Sequence, residues 1–99
     1  MARYRVLYWR EIPSLVEAFE GDHAVRTPLS QRFQDLIDTL AMRTGASSAE
    51  AYLEGWRHGA EADRPGTPER VAEEVTAELE ASFERLLQHH LLGPSADPQ

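Results

Sequence analysis

The sequence predicts an α+β domain in which a three-stranded antiparallel sheet is followed by three helices. In the first third of the chain, apolar and polar residues alternate with period two, as in strands, and from about residue 30 the apolar residues recur every three or four positions, as in helices. A length of 99 residues fits one domain. We expect residues 1–92 to form it and residues 93–99, GPSADPQ, to be a disordered tail.

Three runs rich in β-branched and aromatic residues predict the strands, over about 3–11, 14–20 and 23–27. Pro13 cannot donate a hydrogen bond to a neighbouring strand, so we expect the first strand to turn or end there. Gly21 and Asp22 form a two-residue connection of the Gly-X kind, which suits a type II′ hairpin. The first third of the chain is therefore predicted to be a small antiparallel meander.

One face of this sheet is expected to stay open, because amphipathic helices of this kind can cover one of its two faces. Alternation along the first strand places Val6 and Tyr8 on one side and Leu7 and Trp9 on the other. We assign the side of Tyr8 to the core. Trp9, followed by Arg10, is then expected on the side that the helices do not reach.

Apolar stripes of helical spacing predict three helices, over about 30–44, 48–58 and 68–90. Ser30 is a suitable N-cap for the first, and residues 47–50, SSAE, fit a capping box for the second. Thr67 and Pro68 are a suitable cap and first residue for the third. If the third helix runs to His90 it is about 35 Å long. That is longer than the strands, so part of it is expected to overhang the sheet.

The charge distribution argues against nucleic acids and anionic membranes as partners. Seventeen acids against ten bases give a net charge of −7, and every base is arginine. Residues 1–33 carry a net +1, from five arginines and four acids, which leaves −8 for the remainder. Binding to phosphates requires a basic surface, which an acidic chain of this kind does not predict.

The compartment is predicted from the cysteine count and the N-terminal segment. The chain has no cysteine, which excludes disulfides and thiolate metal sites. Its first apolar run, MARYRVLYWREIP, is broken by arginines and acids, unlike a secretory signal. We therefore expect a cytoplasmic protein.

No arrangement of residues in the sequence predicts catalysis, a metal site or a cofactor. The four histidines are His23, His58, His89 and His90. His89 and His90 are adjacent, so on a helix they point about 100° apart and are not expected to share a metal as an i, i+4 pair does. No serine stands in a nucleophile-elbow context. We therefore expect no metal, no cofactor and no catalysis by this chain alone.

The candidate interaction surface combines tryptophan and arginine, the residue types most often found as hot spots of interfaces. Its candidate residues are Trp9, Arg10, Arg5, Arg26, Trp56 and Arg57. The pair Trp56-Arg57 repeats the pair Trp9-Arg10, which favours an interface. The opposing interpretation is that Trp9 packs under a helix or loop and that Arg10 pairs with an acid.

Several short motifs, spread in order over residues 3–58, resemble one known family. They are Tyr8-Trp9-Arg10-Glu11-Ile12-Pro13, Pro28-Leu29-Ser30, Arg32-Phe33-Gln34, Ile37-Asp38, Ala41-Met42-Arg43, Ala51-Tyr52-Leu53 and Trp56-Arg57. In these motifs the chain is similar to the small bacterial domains called virulence factor, whereas the third helix and the tail match them only loosely. The resemblance implies no catalytic residue, cofactor or substrate, and pathogenicity does not follow from it.

The sequence thus favours a non-catalytic interaction module or accessory subunit with a protein partner, acting through the open face and the Trp9–Arg10 corner. The alternative is a small-ligand or enzyme-accessory role, in which Arg10, Arg26 and Trp9 hold a carboxylate, a phosphate or a ring. A third possibility is a homodimer through the overhanging part of the third helix. Its apolar surface would be provided by Leu86, Leu87, Leu91 and Leu92.

Overall fold

The computed structural model describes residues 1–46 and 48–92. In chain order its elements are β1 (Ala2–Trp9), β2 (Ile12–Glu20), β3 (His23–Pro28), α1 (Gln31–Arg43), α2 (Ala49–Glu54), β4 (Trp56–His58), β5 (Ala62–Arg64), α3 (Pro68–Ala81), α4 (Phe83–Leu87) and a π-helical turn (Gln88–Leu92). The α+β class is confirmed. Within the described residues, however, the sheet has five strands rather than three, and four helices precede the π-helical turn rather than three helices in all.

The sheet is antiparallel and β1 lies near its centre. Strands β3, β2, β1 and β4 are neighbours in that order, and β5 also pairs with β1. Strand β4 pairs with residues 7–9 of β1 and β5 with residues 2–4. The predicted second helix, over about 48–58, is wrong in its second half, where β4 forms. Strand β5 lies between the predicted second and third helices, where no strand was expected. Both strands are three residues long, too short for an alternating pattern to mark them.

Both hairpins of the meander close through two-residue turns. Glu20 pairs with His23 across Gly21 and Asp22, as predicted, and Gly21 has a φ of 58°, which a type II′ turn requires at its first central residue. The first hairpin turns at Arg10 and Glu11, not at Pro13.

Pro13 lies inside β2, so the prediction that the chain turns there is wrong. It faces Tyr8, and the register shifts by one residue between Leu7 and Tyr8, which leaves Ser14 as the extra residue of a β-bulge. A bulge interrupts the ladder of hydrogen bonds, and this explains how a residue without an N–H is accommodated in a paired strand.

The core lies between one face of the sheet and α3. Val6 and Val16 are paired on that face, and Val71 and Val75 of α3 belong to the same buried cluster. The neighbouring strand positions point to the opposite side. That side carries charged and part-buried apolar residues, and we call it the open face. Its residues are Arg5, Leu7, Leu15, Glu17, Phe19, Arg26 and His58.

The first helix agrees with its prediction, whereas the single long third helix is wrong. Helix α3 ends at Ala81 and α4 begins at Phe83, with Ser82 between them; the Ser82 hydroxyl donates to the carbonyl oxygen of Leu79 at 2.7 Å. Leu86 and Leu87 of α4 are part-buried against the core. The surface predicted for a homodimer is correspondingly smaller.

Several predictions fall on positions outside the described residues. The tail over residues 93–99, the role of Ser47 in the capping box and the side chains of Leu91 and Leu92 are among them. The N-cap of α2 is Ser48, whose side chain accepts a hydrogen bond from the backbone N–H of Ala51, so Glu50 does not stand at the third helical position that the predicted capping box requires. In the described part of the chain, no helix has the length and apolar content needed to cross a membrane.

Candidate functional site

Trp9 is a core residue, and the prediction that its ring lies on the open side is wrong. Its relative exposure is 0%. The indole N–H donates to the carbonyl oxygen of Tyr52 at 2.7 Å, and the two rings stack with their centroids 5.8 Å apart. The chain that follows α2 returns as β4, which pairs Trp56 with Trp9, and this pairing brings α2 over the indole. The interpretation that Trp9 packs under a helix is therefore the one that the structure bears out.

Arg10 covers the outside of that buried ring. Its guanidinium lies 4.7 Å from the centroid of Trp9, and its Nη1 donates to Thr44 Oγ1 at 3.2 Å. Its backbone has a φ of 54°, an uncommon conformation for a residue other than glycine. The backbone N–H of Arg10 donates to the carbonyl oxygen of Gly55 at 2.7 Å, which fixes the turn against the end of α2. Arg10 thus remains exposed while it holds two parts of the chain together.

Four of the six predicted site residues meet in this corner. The Arg57 Nε donates to the carbonyl oxygen of Arg10 at 2.9 Å, and its guanidinium lies 4.7 Å from the ring centroid of Tyr8. Trp56 is part-buried and meets Tyr52 edge to face. We call Trp9, Arg10, Tyr52, Trp56 and Arg57 the tryptophan corner. Its hydrogen bonds and ring contacts hold β1, α2 and β4 together, as expected of residues that stabilise the fold.

The other two predicted residues, Arg5 and Arg26, meet on the open face around Glu17. Arg5 Nε donates to Glu17 Oε1 at 2.7 Å, and Arg26 Nε lies 3.1 Å from Oε2 of the same carboxylate. His58 Nε2 lies 3.5 Å from Glu17 Oε1. Glu17 is only 14% exposed, yet its pKa is held below the ordinary value, foremost by the hydrogen bond from Arg5, which outweighs the effect of burial. The open face therefore has a stably ionised carboxylate at its centre.

Sequence reasoning missed Glu17 and His58, although one signal was present for Glu17. The predicted turn at Gly21 and Asp22 places Glu17 opposite Arg26, whereas the pairing of Glu17 with Arg5 depends on the bulge at Ser14, which was not predicted. Opposite charges at directly facing positions stabilise a sheet pair. No such signal existed for His58, because β4 could not be predicted.

The lowered pKa of Glu17 leads to a prediction about stability and pH. A carboxyl group with a depressed pKa in the folded state stabilises the fold above its ordinary value of 4.5, and loses this contribution as the pH falls through the folded-state pKa. We expect Glu17→Gln to lower the free energy of unfolding by roughly 1–2 kcal/mol at pH 7, and the difference to vanish in acid. Urea unfolding from pH 7 to pH 3 measures this.

A suitable control is Glu73→Gln, which removes an exposed carboxylate from α3. Its stability is expected to follow that of the natural protein at every pH. A Glu17→Gln difference that persists unchanged into acid would contradict an electrostatic origin.

Two cavities lie beside the first hairpin turn. The first has a volume of about 290 Å³ and is lined by Trp9, Arg10, Glu11, Ile12, Leu40, Thr44 and His90. The second has a volume of about 300 Å³ and is lined by Glu11, Ser82, Arg85, Leu86, His89 and His90. Glu11 and His90 line both cavities, so they stand between them. Ligand pockets begin at about this size.

His89 and His90 do not diverge as predicted. Their ring centroids are 4.8 Å apart with planes at 87°, and one ligand atom from each of His89, His90 and Glu11 lies within 4.8 Å of the others. Both histidines lie in the π-helical turn Gln88–Leu92, and not in the α-helix that was predicted to run to His90. Burial, together with the neighbouring His89, lowers the pKa of His90, and the carboxylate of Glu11 acts in the opposite direction.

These features define a small α+β domain with a helix-covered core, an arginine-bearing open face and a polar cluster beside its first hairpin turn. A family model described as virulence factor matches residues 7–88, and the chain belongs to this family. The match includes the motifs noted from residue 7 onward and extends through α3 and α4. The searches of curated proteins and of solved structures found no match.

Proposed function

We propose that the chain is a non-catalytic interaction module that binds an extended, acidic segment of a protein partner on the β3 side of its open face. The observation that carries this proposal is the position of Arg26. Its side chain is 66% exposed, although its Nε is held by the carboxylate of Glu17. The arginine is thus fixed in place while the end of its guanidinium faces outward.

The remaining donors of Arg26 suit a second carboxylate. A guanidinium has five N–H donors in a rigid fork, and the ion pair with Glu17 uses the Nε side. The two terminal nitrogens can form the paired hydrogen bonds by which arginine recognises carboxylates. Arg5 is also bound to Glu17 through its Nε, so two arginines share a single central carboxylate.

The backbone of β3 supports an extended ligand. Among the described strands β3 is the last in the order of the sheet, so every second residue presents on its outer side an N–H and a C=O that no described strand pairs. An extended peptide can add to such an edge, with the main chain supplying affinity and alternate side chains supplying specificity. Ala24 and Arg26, two residues apart, lie on the open face beside this edge.

The balance of positive and negative charges differs between the β3 side and the β5 side of the open face. This difference determines on which side an acidic partner fits. On the β3 side Arg26 pairs with Glu17, whose other oxygen is held by Arg5 of β1. Arg5 also lies 3.8 Å from Glu61, so its charge is shared between the two sides. On the β5 side Arg3 pairs with Glu61 and Asp63, so acids outnumber bases there. An acidic segment therefore fits the β3 side better than the β5 side.

The test adds a hexaglutamate peptide, a probe of defined chemistry, to the whole chain and monitors its binding by changes in NMR chemical shifts. We expect the shifts to concentrate on β3 and on the facing residues of β2. Arg26→Gln is expected to weaken binding about three- to tenfold, which corresponds to roughly 1 kcal/mol for one exposed charge interaction.

Arg43→Gln is the matched control, since Arg43 is an exposed arginine in the last turn of α1, away from the open face. It is expected to leave the affinity unchanged. Equal weakening by both variants would indicate nonspecific attraction and overturn the proposal, as would shifts that centre on the tryptophan corner.

A second candidate function is the binding of a small ligand, and the cavity beside Arg10 favours it. Its wall combines the exposed guanidinium of Arg10 with apolar side chains, a mixture that is typical of ligand pockets. Arg26 is not part of this cavity, so the three residues predicted to share one ligand do not meet. Shifts confined to Arg10, Leu40 and Thr44 upon adding a small carboxylate would favour this second candidate.

A further inference from the structure

We propose that Glu11, His89 and His90 form a binding site for a divalent transition-metal ion, with Zn²⁺ as the first candidate. His90 Nε2 lies 3.6 Å from Glu11 Oε1. One ligand atom from each of the three residues lies within 4.8 Å of the others. This site is independent of the function proposed for the open face, because Glu11 lies in the first hairpin turn and both histidines lie in the π-helical turn.

The donor set matches zinc chemistry. Two imidazoles and one carboxylate are a known three-ligand set for zinc, with the fourth tetrahedral position left to water or a substrate. Bonds of about 2.0–2.1 Å place tetrahedral ligand atoms about 3.4 Å apart. The pair of Glu11 and His90, at 3.6 Å, is already near that separation, and the ligand atom of His89, within 4.8 Å of both, moves closer when the ion binds.

Two elements far apart in the sequence supply these ligands, and each presents them for a local reason. The turn of the first hairpin places Glu11 outward, with its side chain 70% exposed and able to adjust. The π-helical turn contains both histidines, and their ring centroids lie 4.8 Å apart. Single π-helical turns are uncommon and frequently accompany functional sites.

The surroundings leave room for a fourth ligand. The two cavities, of about 290 and 300 Å³, flank Glu11 and His90, so a bound ion would be reachable from either side. Arg10 lines one cavity and Arg85 the other. Each positive charge opposes a cation, but each also suits an anionic fourth ligand such as a carboxylate. Glu11 supplies the negative charge within the site itself.

The test measures the binding of Zn²⁺ to the full chain, without a histidine tag, by isothermal titration calorimetry. We expect one ion per chain, no comparable binding of Mg²⁺, and a rise in the melting temperature with zinc concentration. Co²⁺ in the same site is expected to give the strong visible absorption of tetrahedral coordination. Glu11→Gln and His89→Ala are each expected to weaken zinc binding at least tenfold and to abolish that spectrum.

Two controls distinguish this site from weak binding elsewhere on an acidic protein. His58→Ala removes a histidine on the open face, and Glu54→Gln removes an exposed carboxylate at the end of α2. Neither is expected to change zinc affinity. Absence of saturable zinc binding would overturn the proposal, and so would losses in Glu11→Gln and His89→Ala no larger than those in the controls.

Discussion

Replacing Trp9 with alanine is expected to lower the free energy of unfolding by about 3–5 kcal/mol, the range for removing a large aromatic side chain from a core. The indole is 0% exposed. Its removal leaves a cavity between β1 and α2, ends the stacking with Tyr52 and deprives the Tyr52 carbonyl oxygen of the indole N–H. Because small domains are stable by only about 5–15 kcal/mol, this variant is expected to be close to unfolding. Urea unfolding monitored by circular dichroism measures the change.

The second tryptophan provides the comparison. Trp56 is part-buried and meets Tyr52 edge to face, so Trp56→Ala is expected to cost clearly less than Trp9→Ala. Fluorescence gives an independent measurement, since the emission that survives in Trp56→Phe comes from Trp9 and is expected to be shifted to the blue and protected from iodide. A Trp9→Ala loss equal to or below that of Trp56→Ala would show that the indole is not a core residue.

The meander and the first helix could be predicted because their signals are local. A two-residue connection that begins with glycine defines one hairpin whatever the rest of the chain does. The apolar spacing of α1 likewise identifies the buried face that carries Phe33, Leu36 and Ile37. In both cases neighbouring residues along the chain contain the whole pattern.

The position of Trp9 could not be predicted, because its burial depends on β4 and α2, more than 40 positions along the chain. A strand of three residues carries no period, and its pairing to β1 is a contact that sequence patterns do not reveal. The break at Ser82 is similar. One serine in an otherwise regular apolar stripe does not predict the end of a helix. Its hydroxyl nevertheless donates a hydrogen bond to the carbonyl oxygen of Leu79, and α3 ends at the residue before it.

The candidate sites show the same division. Arg5 and Arg26 were selected by residue type. The pairing of Arg26 with Glu17 follows from the second hairpin, whose two-residue turn was predicted, whereas the pairing of Arg5 with Glu17 also needs the bulge at Ser14, which was not predicted. Glu11 and the two histidines are different, since they come from opposite ends of the described chain. Only the packed fold, with its π-helical turn, brings them together.

Gly55→Ala is expected to be the second severe substitution, with a loss of about 2–3 kcal/mol. A Cβ atom at this position would lie 2.5 Å from Trp9 Nε1 and 2.7 Å from Trp9 Cε2, and the buried ring has no room to withdraw. The backbone of Gly55, with φ −75° and ψ −20°, is ordinary for alanine. Alanine alone would therefore stabilise such a position slightly, so the expected loss comes from overpacking against the indole.

Gly59→Ala is the matched control, because its Cβ would lie 2.9 Å from Cε2 of Tyr8, a ring that is only part-buried and can move. It is expected to cost less than Gly55→Ala. In the Trp9→Phe background the smaller ring vacates space, so adding Gly55→Ala is expected to cost at least 1 kcal/mol less than in the natural protein. Strictly additive losses would mean that the end of α2 does not press on the indole. A smaller cost of Gly55→Ala in the Trp9→Phe background would instead show that position 55 is a glycine because of Trp9. At this close approach to the indole, only a residue without a side chain avoids a clash with the ring.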